Sequence, residues 1–278
     1  MTSRLPMTTG RWVALAIGTP LALLAIGWTA LTAVAWAGLG SYRVNLAAPV
    51  HGATVATVGV DSGDVTVRPG PAGQVQVHGI IRYSLARPQV RWERTPSAIT
   101  LHSHCRAPVG ECSSTFAVTV PPLGRSDVFI ADGDLTASGL AGTVALGSAA
   151  GDIRAERISG NVTISDHSGD IVVRSLSAAR ALISNDSGNI SGSAVSSPDL
   201  NVQDSSGDIT VVFTRVPARV QVSDESGNIT LVLPPGPTAY RVAASTQSGV
   251  STVTVPRNSS STHVITVTDQ SGNVTVIR

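Results

Sequence analysis

The chain has 278 residues, of which 42% are hydrophobic, only 13% charged and 4% aromatic, and its formal net charge is +1. That length and apolar content allow a sizeable core, whereas the sparse charge, with no basic run interleaved with aromatics, excludes the electrostatic footprint of a nucleic-acid binder. Glycine, serine, threonine and valine are abundant, a composition that suits short strands joined by tight turns, so an all-β fold is expected.

No charged residue lies between Trp12 and Gly40. A membrane-spanning helix needs about 20 such residues, more than the roughly 7 to 15 of a signal-peptide core, so residues 12–38 are predicted to form one transmembrane helix. Pro20 is tolerated in such a helix, and Trp12 and Trp36 fall where the two interfaces would be. A cleaved signal ending at Ala35-Trp36-Ala37 is the alternative, and it too exports the rest of the chain. Arg4 and Arg11 precede the segment while Arg43 alone follows closely. The positive-inside rule therefore predicts a cytoplasmic tail over 1–11, a linker over 39–52 and an extracytoplasmic domain over 53–278 in a single-pass protein of the cell membrane.

The two cysteines, Cys105 and Cys112, are expected to form a disulfide around the loop 106–111, as an even pair in an exported domain does. So short a loop would contribute somewhat under about 3 kcal/mol. A zinc site at His102, His104 and Cys105 is the competing reading, but strand alternation puts Ser103 and Cys105 on one face and both histidines on the other, so the donors do not converge.

From there the chain repeats. Ser62-Gly63-Asp64-Val65 returns as Ala150-Gly151-Asp152-Ile153, Ser168-Gly169-Asp170-Ile171, Ser187-Gly188-Asn189-Ile190, Ser206-Gly207-Asp208-Ile209, Ser226-Gly227-Asn228-Ile229, Ser248-Gly249-Val250-Ser251 and Ser271-Gly272-Asn273-Val274. From Gly151 the glycines are spaced 18, 19, 19, 20, 22 and 23 residues apart. Apolar residues occupy fixed offsets from each glycine. Val162/Ile164, Ala181/Ile183, Leu200/Val202, Val220/Val222, Val242/Ala244 and Ile265/Val267 stand seven and five before it. Ile171/Val173, Ile209/Val211, Ile229/Leu231 and Val274/Val276 stand two and four after it, with Gly192 and Ser251 the exceptions. Spacing by two means strands, and a two-stranded unit cannot bury its apolar face unless neighbours cover it. The predicted architecture is therefore a parallel β-solenoid, irregular over 53–131 and regular over 132–278. Gly133, Gly142, Gly151, Gly160 and Gly169 lie nine apart, which implies a coil with two nearly equivalent sides.

The turn glycines supply positive φ, and the flanking Ser, Asp and Asn satisfy backbone donors. The alternative is calcium on two rows of carboxylates, Asp166, Asp204, Asp224 and Asp269 before the glycine and Asp152, Asp170 and Asp208 after it. Against it, the Gly-Gly-x-Gly-x-Asp nonapeptide is absent and the second row alternates with Asn189, Asn228 and Asn273, as relief of like-charge repulsion would require. No metal or cofactor is expected. The Asn-x-Ser/Thr matches at Asn161, Asn189, Asn228 and Asn273 coincide with the turn motif. His51, His78, His167 and His263 are scattered, no nucleophile elbow or phosphate loop is present, and no enzyme is expected.

These Ser-Gly-Asp-Ile/Val units, behind the stretch Cys105 to Cys112 and Phe116-Ala117-Val118-Thr119-Val120-Pro121, resemble the bacterial putative adhesin family, domain of unknown function 4097, from about Val55 to Arg278. The resemblance implies a solenoid-like β-domain, often behind a membrane anchor, and no catalytic residues. The expected function is a non-enzymatic binding or scaffold protein of the cell envelope with an envelope protein or cell-wall glycan as partner. An envelope-stress sensor is the alternative, and an extracytoplasmic hydrolase a third reading. At Gly249-Val250-Ser251 a longer or capping coil is expected. The final strand, Val274 to Arg278, would need cover from residues folding back or from another subunit.

Overall fold

The computed structural model describes residues 19–30, 33, 39–49, 55–84, 89–94, 98–104, 112–122 and 124–278. They fall into two compact units, one of Met1–Tyr42, Ile81–Pro88 and Cys105–Ser113, the other of Arg43–Ile80, Gln89–His104 and Ser114–Arg278. In the first unit residues 19–30 are helical and all exposed; Leu21, Leu24 and Trp28 show 60%, 70% and 63% of their surface to solvent. No described helix is long and apolar enough to cross a membrane, and most of the flanking part of the span expected over 12–38 lies outside the described residues. Tyr42 and Tyr83 pack edge to face with centroids 6.0 Å apart. Among the described residues no cysteine is free; the partner expected for Cys112, Cys105, lies outside them, as does the side chain of His104.

Among the described residues seven strands precede the regular array: β1 (Gly40–Pro49), β2 (Val55–Ser62), β3 (Asp64–Pro69), β4 (Gln74–Tyr83), β5 (Gln89–Arg94), β6 (Ala98–His104) and β7 (Cys112–Val120). Residues 39–52 were expected to be a linker, but most of them form β1, because Tyr42, Val44 and Leu46 alternate with polar residues and give the segment one half-buried face. Each later coil contributes one strand to each of two sheets. The array runs β8 (Arg125–Asp132) and β9 (Leu135–Ser138), β10 (Ala141–Ser148) and β11 (Ile153–Glu156), β12 (Ser159–Asp166) and β13 (Ile171–Arg174), and β14 (Ser177–Asn185) and β15 (Ile190–Val195). It continues with β16 (Asp199–Gln203) and β17 (Ile209–Phe213), β18 (Arg219–Ser226) and β19 (Ile229–Val232), β20 (Arg241–Ser248) and β21 (Ser251–Val253), and β22 (Val264–Ser271) and β23 (Val274–Ile277).

One sheet is ordered β20-β22-β18-β16-β14-β12-β10-β8-β2-β6-β5, the other β1-β4-β7-β3-β9-β11-β13-β15-β17-β19-β23-β21. Pairing is parallel and in register: Ile171 lies beside Ile190, Ile190 beside Ile209, Ile209 beside Ile229 and Ile229 beside Val274. All five are buried, at 0–1% exposure, and Ile164, Ile183, Val202, Val222 and Val267 in the other sheet are buried at 0–2%. Each such side chain contributes about 1.5 to 3 kcal/mol of transfer free energy. At one edge β5 runs antiparallel to β6.

Both exceptions in the repeat have structural causes. At Gly192 a bulge intervenes, with Ala194 at φ 53° and a register shift before Val195. A Cβ on Gly192 would lie 3.2 Å from Val195 Cγ2, so the valine occupies the interior in its place. Ser251 belongs to the last coil in space, where nothing needs to be buried on the outer side.

The coils are not stacked in chain order at either end. The Gly63 coil, β2 and β3, sits directly on β8 and β9, with Val65 beside Leu135 and Gly63 N–H donating to Asp132 O at 2.8 Å; β4 to β7 are an excursion that adds strands beyond it. At the other end β22 and β23 insert between β18/β19 and β20/β21. The strand that ends the chain is therefore covered by the coil that precedes it in sequence. The Gly249 coil is the cap, and accordingly Val242 and Ala244 are only half-buried and Val250 is 65% exposed.

Candidate functional site

The turns between the sheets generate two polar rows. One residue after each glycine, an outer ladder runs the length of the array. Asp64 Oδ1 accepts the N–H of Asp134 (3.2 Å), and Asp134, Asp152 and Asp170 do the same for Asp152 (3.0 Å), Asp170 (3.0 Å) and Asn189 (2.8 Å). Asn189, Asp208, Asn228 and Asn273 continue it to Asp208, Asn228, Asn273 and Val250. Every rung needs only an Oδ1 acceptor, which Asp and Asn share, and this is why the two interchange. The amide also adds a donor: Asn189 and Asn228 give Nδ2–H to the Oδ1 of Asp170 and Asp208, at 3.2 and 3.1 Å.

Three residues before the glycine the chain points inward. Asp166, Asp204, Asp224 and Asp269 are 3–6% exposed. Asp166, Asp204, Asp224 and Asp269 each turn Oδ1 onto the N–H two residues on, at 3.3, 3.3, 3.2 and 3.1 Å. Among the described residues no donor reaches their Oδ2 atoms. Burial pushes the carboxyls of Asp166 and Asp224 above the usual range and that of Asp204 up to about 6, against the lowering effect of the backbone N–H bonds. The two rows weighed as an alternative calcium site thus lie on different sides of the turn, one buried and one facing outward. Among the described residues no three His, Cys, Asp or Glu side chains converge on a metal position.

Above the inner row lies a groove of about 560 Å³ across β16, β18, β22 and β20, with Gln203, Ser205, Glu225, Gln247, Thr268 and Gln270 along it. Amides, hydroxyls, the exposed carboxylate of Glu225 and, at its floor, the carboxyls of Asp204, Asp224 and Asp269 line it, with no arginine or aromatic ring. Since adjacent strands are about 4.8 Å apart, these groups form a regular lattice of donors and acceptors. Such a surface suits a neutral, hydrogen-bonding polymer and repels a polyanion. Elsewhere His102 Nδ1 is 2.8 Å from Asp61 Oδ2, and His167 Nε2 is 3.9 Å from Asp186 Oδ2, both pairs solvent-exposed. The groove escaped the sequence reading because its residues are far apart in the chain and share no motif.

Two parallel sheets, a stacked aliphatic interior and polar ladders on the turns define a repeat scaffold of the β-solenoid class. The chain belongs to the Toastrack DUF4097 family, which matches residues 53–277. Among solved structures it is similar to a "putative adhesin" from Bacteroides fragilis, at 13% identity and a TM-score of 0.48 over 85% of this chain and 97% of that one. It is also similar to a "putative adhesin" from Parabacteroides distasonis, at 12% identity and a TM-score of 0.38 over 85% and 96%. No curated protein matches the chain.

Proposed function

We propose that the protein is a non-enzymatic binding or scaffold component of the cell envelope, held to the membrane by the segment 12–38 with the solenoid on the outer side. The observation that carries the reading is the groove across four in-register coils, a rigid and periodic polar surface whose groups are arranged to hold a chain-like partner rather than to transform a small one. Two features support the anchor: the absence of charge from Trp12 to Gly40 and the exposure of Leu21, Leu24 and Trp28, at 60%, 70% and 63%, which a non-aqueous surrounding would satisfy. The partner is an envelope protein or a cell-wall glycan, since the groove offers hydrogen bonds and no cation for a nucleic acid or other polyanion.

Crosslinking in intact cells tests this, with the full chain tagged at its C-terminus. External protease should remove the tag. One envelope partner should be captured repeatedly by the wild type and at least about tenfold less by Gln203→Arg/Gln270→Arg, which fills the groove with two cations. A tag shielded from external protease, or equal capture by both chains, would contradict the proposal.

A further inference from the structure

The inner row poses a problem of hydrogen bonding. In the Gly169, Gly227 and Gly272 coils the carboxyl sits beside the turn glycine, whose neighbour one coil back presents its carbonyl to the same space, and Asp204 holds the equivalent position three residues before Gly207. A Cβ built on Gly169 would lie 3.0 Å from Asp166 Oδ2 and 2.4 Å from Gly151 O, and one on Gly227 2.9 Å from Asp224 Oδ2 and 1.9 Å from Gly207 O. Among the described residues no backbone N–H reaches the carbonyls of Gly151, Gly188 or Gly207. Two acceptors facing each other in a buried site are unfavourable unless a donor stands between them.

The same row shows what a donor does there. In the Gly188 coil the position is Asn185, whose Nδ2–H donates to Gly169 O at 3.0 Å. In the capping coil it is Thr246, whose hydroxyl donates to Gly272 O at 3.0 Å. Asn185 pairs in register with Asp166, so the two side chains occupy equivalent places on adjacent strands. A protonated carboxyl is the remaining side chain that can make this bond without moving the backbone.

We propose that Asp166, Asp204 and Asp224 take up protons on Oδ2 in mildly acidic surroundings and donate them to the carbonyls of Gly151, Gly188 and Gly207, so that acid tightens the seam between coils. The groups that face them add to this. Asp152 and His167 lie near Asp166, Asp186 and Asp224 near Asp204, and Asp208 and Asp269 near Asp224, all carboxylates save one imidazole. Neighbouring negative charge and burial both favour the neutral form. A carboxyl whose folded value is raised contributes stability that is complete below its unfolded value and is lost as pH rises through the folded one. For Asp204 that loss runs from its ordinary value of 3.8 and is complete just above about pH 6.

Thermal unfolding of the full chain in detergent, between pH 5 and pH 8, decides the matter. The wild type should melt higher at pH 5, by on the order of 5 °C. Asp204→Asn/Asp224→Asn, which installs the donor found at Asn185, should melt above the wild type at pH 8 and lose most of the pH dependence. A wild type no more stable at pH 5 than at pH 8, or a double variant that melts below it at pH 8, would overturn the proposal. So would a rise in the wild-type Tm at pH 8 on adding calcium that the double variant does not share, since a cation would then be the bridge.

Discussion

Gly207→Ala is expected to destabilise the solenoid by about 4 kcal/mol or more, a large share of the about 5 to 15 kcal/mol that holds a domain of ordinary stability folded. Two effects combine. Gly207 has φ +146°, a conformation that costs a residue with a Cβ about 1 to 3 kcal/mol. The new carbon would also lie 2.0 Å from Gly188 O and 2.6 Å from Gly188 C, both backbone atoms of the adjacent turn. The turn cannot yield locally, because Gly188 stands in the same relation to Gly169 O, at 2.2 Å. Gly236→Ala separates the two contributions. Its φ of +143° is similar, but nothing lies within 4 Å of the added carbon, so the variant carries the strain alone and should lose about 1 to 3 kcal/mol. Denaturant unfolding of the two variants checks the difference. Equal losses would show that turn glycines are required for dihedral freedom only, and that the coils do not approach as closely as described.

The second large effect belongs to the interior. Ile209→Ala removes a side chain with no exposed surface, flanked in register by Ile190 and Ile229, and should cost about 2 to 5 kcal/mol, the span seen for buried aliphatic truncations. Val212→Ala, on the outer face of the same strand at 37% exposure, should change stability by less than about 0.5 kcal/mol. The contrast within one strand, β17, measures the inward and outward alternation directly by denaturant midpoint. Comparable losses at the two positions would mean that the strand has no buried face.

The repeat was legible because its physics is local. A strand alternates every two residues and a turn demands glycine, so Ile171, Ile190, Ile209 and Ile229 betray their shared direction by offset alone. The inner carboxyl row followed from the same parity, since a residue three before the glycine faces the way of those seven and five before it. A reading that weighed Asp166, Asp204, Asp224 and Asp269 by chemistry as potential calcium ligands passed over the fact that they point inward. What sequence could not reveal is which coil stacks on which. Gly63 and Gly133 are neighbours in space although 70 residues apart in number, and β22/β23 displaces β20/β21 from the place that chain order assigns it. Both transpositions depend on the segments 70–124 and 254–263, which lack the Ser-Gly-Asp turn motif of the repeat. The half-buried Ala244 and Val253 and the exposed Ser251 are the one trace of the second, because a capping coil has only one apolar neighbour to satisfy.

The stacking order can be read by disulfide trapping. Thr230 and Thr275 are register partners on adjacent strands, as are Thr275 and Thr252, whereas Thr230 and Thr252 are separated by β23. Adjacent strands place Cα atoms about 4.8 Å apart and alternate strands about twice that, and a disulfide spans about 4.4 to 6.8 Å. Under mild oxidation Thr230→Cys/Thr275→Cys should crosslink, and Thr230→Cys/Thr252→Cys should remain reduced. The reverse outcome would restore chain order to the coils, and failure of both pairs would contradict the in-register parallel stack itself.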